Sequence, residues 1–81
     1  MFCRVSRAPA PDPVIAAVLK RLREHRGLTQ EALAFKSGVS ISSLGRIETG
    51  HTSTAWATVV QLADALGVSM GELGAAVDAE R

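Results

Sequence analysis

The chain is poor in the features that mark most other protein classes. Its 81 residues hold one cysteine, one tryptophan, two phenylalanines and no tyrosine. A lone Cys3 has no partner for an internal disulfide, so packing must hold the fold, and a reducing cytoplasm is the expected setting. The apolar run that begins at Val14 falls far short of the ~20 residues that span a bilayer. The first residues, "MFCRVSRAPAPDP", lack the continuous apolar stretch of a secretory signal. His25 and His51 fall at a helix end and in a loop, without metal-ligand spacing, and Cys3 is remote from both in sequence. With no glycine-rich phosphate loop either, neither enzyme chemistry nor a cofactor is expected.

What is present is a small apolar domain with an uneven charge. Apolar residues make up 47% of the chain, enough for one modest core, and no internal repeat or second domain is visible. The net charge is +1, but Met1 to Leu28 carries +4 and Thr29 to Arg81 carries −3. Such a split points either to a surface that meets a polyanion or to an ordinary solvated helix face.

Apolar residues recur every three to four positions, which predicts an all-α fold. Asp12-Pro13 is a helix start, because the Asp accepts orphan amide hydrogens and proline loses nothing at the first helical position. The first helix is expected from about Pro13 to Arg26, with Ile15, Val18, Leu19 and Leu22 buried and Gly27 ending it. Three later starts share one design, an apolar residue, a hydroxyl cap and a second apolar residue four positions beyond the cap. Leu28-Thr29 pairs with Leu33, Val39-Ser40 with Leu44, and Val68-Ser69 with Leu73; Ser69 and Glu72 add a capping box. A further helix is expected from about Ala55 to Leu66, capped by Ser53 or Thr54, buried through Trp56, Val59, Val60, Leu62 and Ala63, and closed by Gly67. The result is five helices over residues 13–81, preceded by an extended, poorly ordered arm at 1–12.

Within that series, Gln30 to Thr49 has a distinct internal order: a short helix with the small Ala34 at its crossing point, a turn at Gly38, and a second short helix. This is the pattern of a helix-turn-helix unit. The residues "GLTQEALAFKSGVSISSLGRIETG", followed by "TVVQLADALGVSMGEL", resemble the Cro and C1 repressor family, also called the XRE family of helix-turn-helix regulators. The resemblance runs from about Val18 to Val77. It implies a lambda-repressor-like five-helix domain that binds double-stranded DNA, with the helix at about 41–48 in the major groove. The loop "HTSTAW" departs from the family pattern by lacking proline, as does Gly45 inside the recognition helix.

Helical geometry independently sorts the second helix into faces. With Ser40, Leu44 and Ile47 inward, Ile41, Ser42, Gly45, Arg46 and Thr49 face outward. Arg46 can pair with the O6 and N7 of guanine, Ser42 can bond several base edges, and Ile41 can meet a thymine methyl group. Gly45 costs about 1 kcal/mol of helix propensity, which reflects either close approach of its backbone to DNA or simple tolerance. The resemblance implies phosphate contacts from Gln30, Ser43, Thr49, His51 and Thr52, with His51 open to the plainer reading of a solvated loop residue. It also implies a structural ion pair between Arg23 and Glu48. Arg4 and Arg7 read either as a minor-groove arm or as a plain tail.

The last helix leaves Met70, Leu73 and Val77 without a further helix to cover them. A two-fold homodimer through these residues and Trp56 is expected, reading a palindromic site with half-sites about 34 Å apart. Two functions follow from different classes: a small dimeric DNA-binding transcriptional regulator, expected to repress, or an antitoxin-like module that holds a partner protein through its arm or apolar end and binds DNA secondarily.

Overall fold

Three hydroxyl residues set the starts of three helices. In the computed structural model, which describes residues 13–51 and 54–81, the chain forms α1 (Pro13–His25), α2 (Gln30–Ser37), α3 (Ile41–Glu48), α4 (Trp56–Leu66) and α5 (Met70–Glu80). No strand occurs among the described residues. The oxygen of Thr29 accepts the Ala32 amide at 3.0 Å and that of Ser40 accepts the Ser43 amide at 3.1 Å. At α5 the capping box is complete: Ser69 Oγ accepts from the Glu72 amide at 3.0 Å, and Glu72 Oε1 accepts from the Ser69 amide at 2.8 Å. Hydrogen bonding from the Ser69 amide, and secondarily from the Ser69 side chain, holds the Glu72 carboxyl below its ordinary value of 4.5. The expected arm at 1–12, with Arg4 and Arg7, lies outside the described residues, as do Thr52 and Ser53.

The turn between α2 and α3 depends on two neighbours. Gly38 sits at φ +80°, a left-handed conformation that a side chain would strain, and its amide donates to the Ala34 carbonyl at 2.9 Å. The buried Ser37 hydroxyl donates to the same carbonyl at 3.3 Å and accepts from the Val39 amide at 3.2 Å. Ser37 therefore gives the Val39 amide an acceptor that the tight turn would otherwise deny it.

Val18, Leu19, Leu33, Leu44, Leu62 and Leu66 are fully enclosed at the centre, joined by Ile47, Val59 and Leu73. Leu28, Val39 and Val68 pack partly buried against the same core that holds Leu33, Leu44 and Leu73, as expected of apolar staples across three caps. Helix α1 packs on α5, α3 and α4, and α2 packs on α4 and α3. An ion pair between Arg21 and Glu80 ties α1 to the end of α5.

Three expectations need correction. Helix α4 takes Ala55 as its N-cap, with no side-chain cap bond, rather than Ser53 or Thr54. Trp56 and Val60, expected to be buried, are 70% and 40% exposed. As the first residue of α4, Trp56 projects back past the end of the core, and Val60 falls away from the face set by Val59, Leu62, Ala63 and Leu66. Helix α1 buries Arg23 beside Ala16, Val18 and Leu19, with Ile15 and Leu22 only partly covered. Phe35, on the outer face of α2, is 91% exposed.

Candidate nucleic-acid interface

The face of α3 turned to solvent is decided by what its other face must bury. Leu44, Ile47 and Glu48 turn inward, leaving Ile41, Ser42, Ser43 and Arg46 exposed and Gly45 half-buried. Ser40, expected inward, is exposed, because its side chain serves as the cap at the helix start. Arg46 and Ser42 have no side-chain partner among the described residues. The strip thus carries a free guanidinium and a free hydroxyl.

Glu48 would oppose any anionic partner if it were free, but it is neutralised. Arg23 Nε donates to Glu48 Oε2 at 2.8 Å and Arg23 Nη2 to Glu48 Oε1 at 3.1 Å, a two-point pairing inside the chain. Arg23 Nη1 also donates to the Leu28 carbonyl at 2.7 Å, in the link between α1 and α2. Hydrogen bonding to Glu48 raises the Arg23 pKa above its ordinary value against the opposing effect of burial. Gln30, the first residue of α2, completes the cluster by donating from Nε2 to Glu48 Oε1 at 3.1 Å. One carboxylate therefore binds α1, α2 and α3 together. The Arg23 and Glu48 pairing was expected; the part played by Gln30 was not, since an amide at a helix start carries no sequence signal for an inward bond.

Gln30 also borders Gly45. A Cβ placed on Gly45 would stand 3.9 Å from Gln30 Oε1, an ordinary contact distance. At the far end of the strip, the Thr49 hydroxyl lies 3.0 Å from the Gly45 carbonyl, 3.1 Å from the Arg46 carbonyl and 3.0 Å from His51 Nδ1. With the hydroxyl proton directed to a carbonyl, His51 Nδ1 donates to Thr49 Oγ1. Thr49 and His51 are both exposed beside the strip, Ser43 lies along it, and Thr52 is outside the described residues.

On the side of α3 away from Gln30 runs an open cleft of about 520 Å³. Ser40, Ser43 and Arg46 line it from the turn and α3, and Thr54, Thr58 and Gln61 from the start of α4. Beyond Thr54, which lines both, a groove of about 450 Å³ is lined by Ile15, Trp56, Met70 and Val77, with Leu73 among its lining residues. Leu73 is 4% exposed, so it belongs to its own chain's core while Trp56, Met70 and Val77 remain accessible. Among the described residues no group of three or more His, Cys, Asp or Glu could hold a metal ion, and no helix is long and apolar enough to cross a membrane.

Residues 14–76 match the family model described as a helix-turn-helix domain. The chain belongs to the XRE-type helix-turn-helix family of DNA-binding transcriptional regulators. Among relatives of this helix-turn-helix chain, the uncharacterized HTH-type transcriptional regulator y4dJ of Sinorhizobium fredii is 40% identical over 60 residues, 74% of this chain and 78% of y4dJ. YazB of Bacillus subtilis, also an uncharacterized HTH-type transcriptional regulator, is 38% identical over 55 residues, 68% of this chain and 80% of YazB. The restriction-modification controller protein C.AhdI of Aeromonas hydrophila superposes with a TM-score of 0.72 at 36% identity, covering 75% of this chain and 92% of C.AhdI. For this XRE-type chain, the matched span runs from the first turn of α1 into α5 and so includes both α2 and α3.

Proposed function

We propose that this chain represses transcription in the cytoplasm as a homodimer, reading a palindromic operator with α3 in the major groove. The observation that carries the reading is the pairing of opposites on α3: Arg46 is exposed and free among the described residues, while the acid of the same helix, Glu48, is turned inward and neutralised by Arg23. In this reading Arg46 bonds a guanine, Ser42 and Ile41 meet neighbouring base edges, and the Gly45 backbone comes close to the groove floor. Gln30 offers its remaining amide hydrogen to a phosphate, and Ser43, Thr49, His51 and Thr52 approach the same backbone. The Trp56, Met70 and Val77 groove supports a two-fold contact with a second copy, Leu73 forming part of its wall.

Selection of bound sites from a random duplex pool, with Arg46→Ala in parallel, tests the reading. An enriched palindrome is expected, with half-sites about 34 Å apart. The variant should lose preference at one base pair of each half-site, at a cost of roughly 1–3 kcal/mol. A folded protein that enriches no sequence would overturn it. The exposed apolar groove also supports the antitoxin-like reading, which a stoichiometric partner protein co-purifying with the chain would favour.

A further inference from the structure

Resting on that reading, we infer that His51 meets a DNA phosphate only as an imidazolium, so that operator binding takes up one proton per protomer and tightens as pH falls. The residue is fixed at two points: the His51 amide donates to the Arg46 carbonyl at 3.0 Å, and ring Nδ1 lies 3.0 Å from Thr49 Oγ1. That hydroxyl also lies 3.0 Å from the Gly45 carbonyl and 3.1 Å from the Arg46 carbonyl. A carbonyl can only accept, so the single Thr49 proton turns toward the carbonyls and a lone pair of its oxygen toward the ring. The neutral imidazole therefore carries its hydrogen on Nδ1, leaving a bare lone pair on Nε2.

His51 is exposed beside the α3 strip, and its Nε2 has no partner among the described residues. A phosphodiester oxygen only accepts, so the neutral ring would set lone pair against lone pair. A solvent proton on Nε2 turns that repulsion into a charge-assisted hydrogen bond, and histidine ordinarily exchanges a proton between about pH 5 and 8. Nothing described in the protein supplies an anion to hold that proton. On α3, Glu48 is occupied by Arg23 and Gln30, and Arg46 is a cation; no acid stands within ion-pair distance of His51 among the described residues. Helix α1 meets the loop where Ala16 Cβ lies 3.9 Å from a Cβ built on Gly50; it has no acid in its first turn and carries Lys20 one turn on. Helix α4 also begins without an acid. The phosphate is then the group that stabilises the proton, and by reciprocity the proton stabilises the phosphate contact.

The test measures affinity of the full chain for the duplex recovered by site selection, between about pH 8 and 6. Wild type should tighten by about tenfold per protomer over that range, with a steeper salt dependence at the lower pH because each protomer then carries one more cation. His51→Gln keeps an amide donor that does not titrate, so its pH dependence should flatten. His25→Gln, at the end of α1, should behave as wild type. Thr49→Val removes the oxygen that holds the Nδ1 hydrogen and lets the neutral ring carry it on Nε2, so its pH dependence should shrink toward that of His51→Gln. An equal loss of affinity at both pH values in Thr49→Val would reduce Thr49 to a structural role and overturn the tautomer assignment. Ring nitrogen chemical shifts of the DNA-free protein at the higher pH should show the Nδ1–H form in wild type and the Nε2–H form in Thr49→Val. Equal wild-type affinity at both pH values, a pH dependence in His51→Gln matching wild type, or an Nε2–H ring in the free protein would each overturn this inference and leave the proposed function standing. Failure of wild type to bind any duplex would overturn both.

Discussion

Arg23 of α1 and Glu48 of α3 form a two-point ion pair, at 2.8 and 3.1 Å, that is closed off from solvent by the helices it joins. Removing one partner leaves the other buried and unpaired, so Arg23→Ala should lower unfolding free energy by about 3–5 kcal/mol in urea denaturation. The double variant Arg23→Met, Glu48→Leu removes both charges and should regain much of that loss. A single variant as stable as wild type would mean that water reaches the site freely.

Gly45 separates stability from recognition. Since an added Cβ meets only Gln30 Oε1, at 3.9 Å, Gly45→Ala should stabilise α3 by about 0.5–1 kcal/mol in thermal unfolding. If the backbone closely approaches DNA, the same variant should bind its operator more weakly than wild type. Higher stability with unchanged affinity would leave simple tolerance as the account of this glycine.

Trp56 is 70% exposed at the edge of the apolar groove. Trp56→Ala should leave the melting temperature of the monomer nearly unchanged while weakening self-association by about 2 kcal/mol or more, read by sedimentation equilibrium. An unaltered dimer constant would remove this groove from the two-fold contact.

The capping box at α5 has a definite pH signature. The Glu72 carboxyl is held below its ordinary value by its bonds to Ser69, so its stabilising contribution is complete at neutral pH and is lost as pH falls through the lowered value. Wild type should melt above Glu72→Ala at pH 7, and the gap should close as the solution is acidified past 4.5. A gap independent of pH would show that the charge of Glu72 is not what holds the cap.

Local rules carried much of this fold. The starts at Thr29, Ser40 and Ser69 were legible because a cap and its staple lie within five residues of each other. The start of α4 was not, because Ala55 offers no capping side chain and nearby hydroxyls competed for the role. Periodicity marked Trp56 as buried since it gives a direction around the helix and not a position along it; the core simply ends before that residue. Glu48 and Arg23 were paired through resemblance, whereas Gln30 turning inward and the cleft flanked by Thr58 and Gln61 depend on contacts between helices far apart in sequence. The base- and phosphate-contacting roles remain the proposal made above.

The carboxylate shared by Arg23 and Gln30 bears on how binding is lost as well as how it is gained. Helices α2 and α3 have eight residues each, shorter than the ~12–15 that an isolated helix needs to persist in water. Their helicity is borrowed from the junction and the core, so neither can loosen and keep its shape. Heating or mutation should therefore abolish DNA recognition in step with global unfolding, through one cooperative transition rather than by a gradual softening of grip.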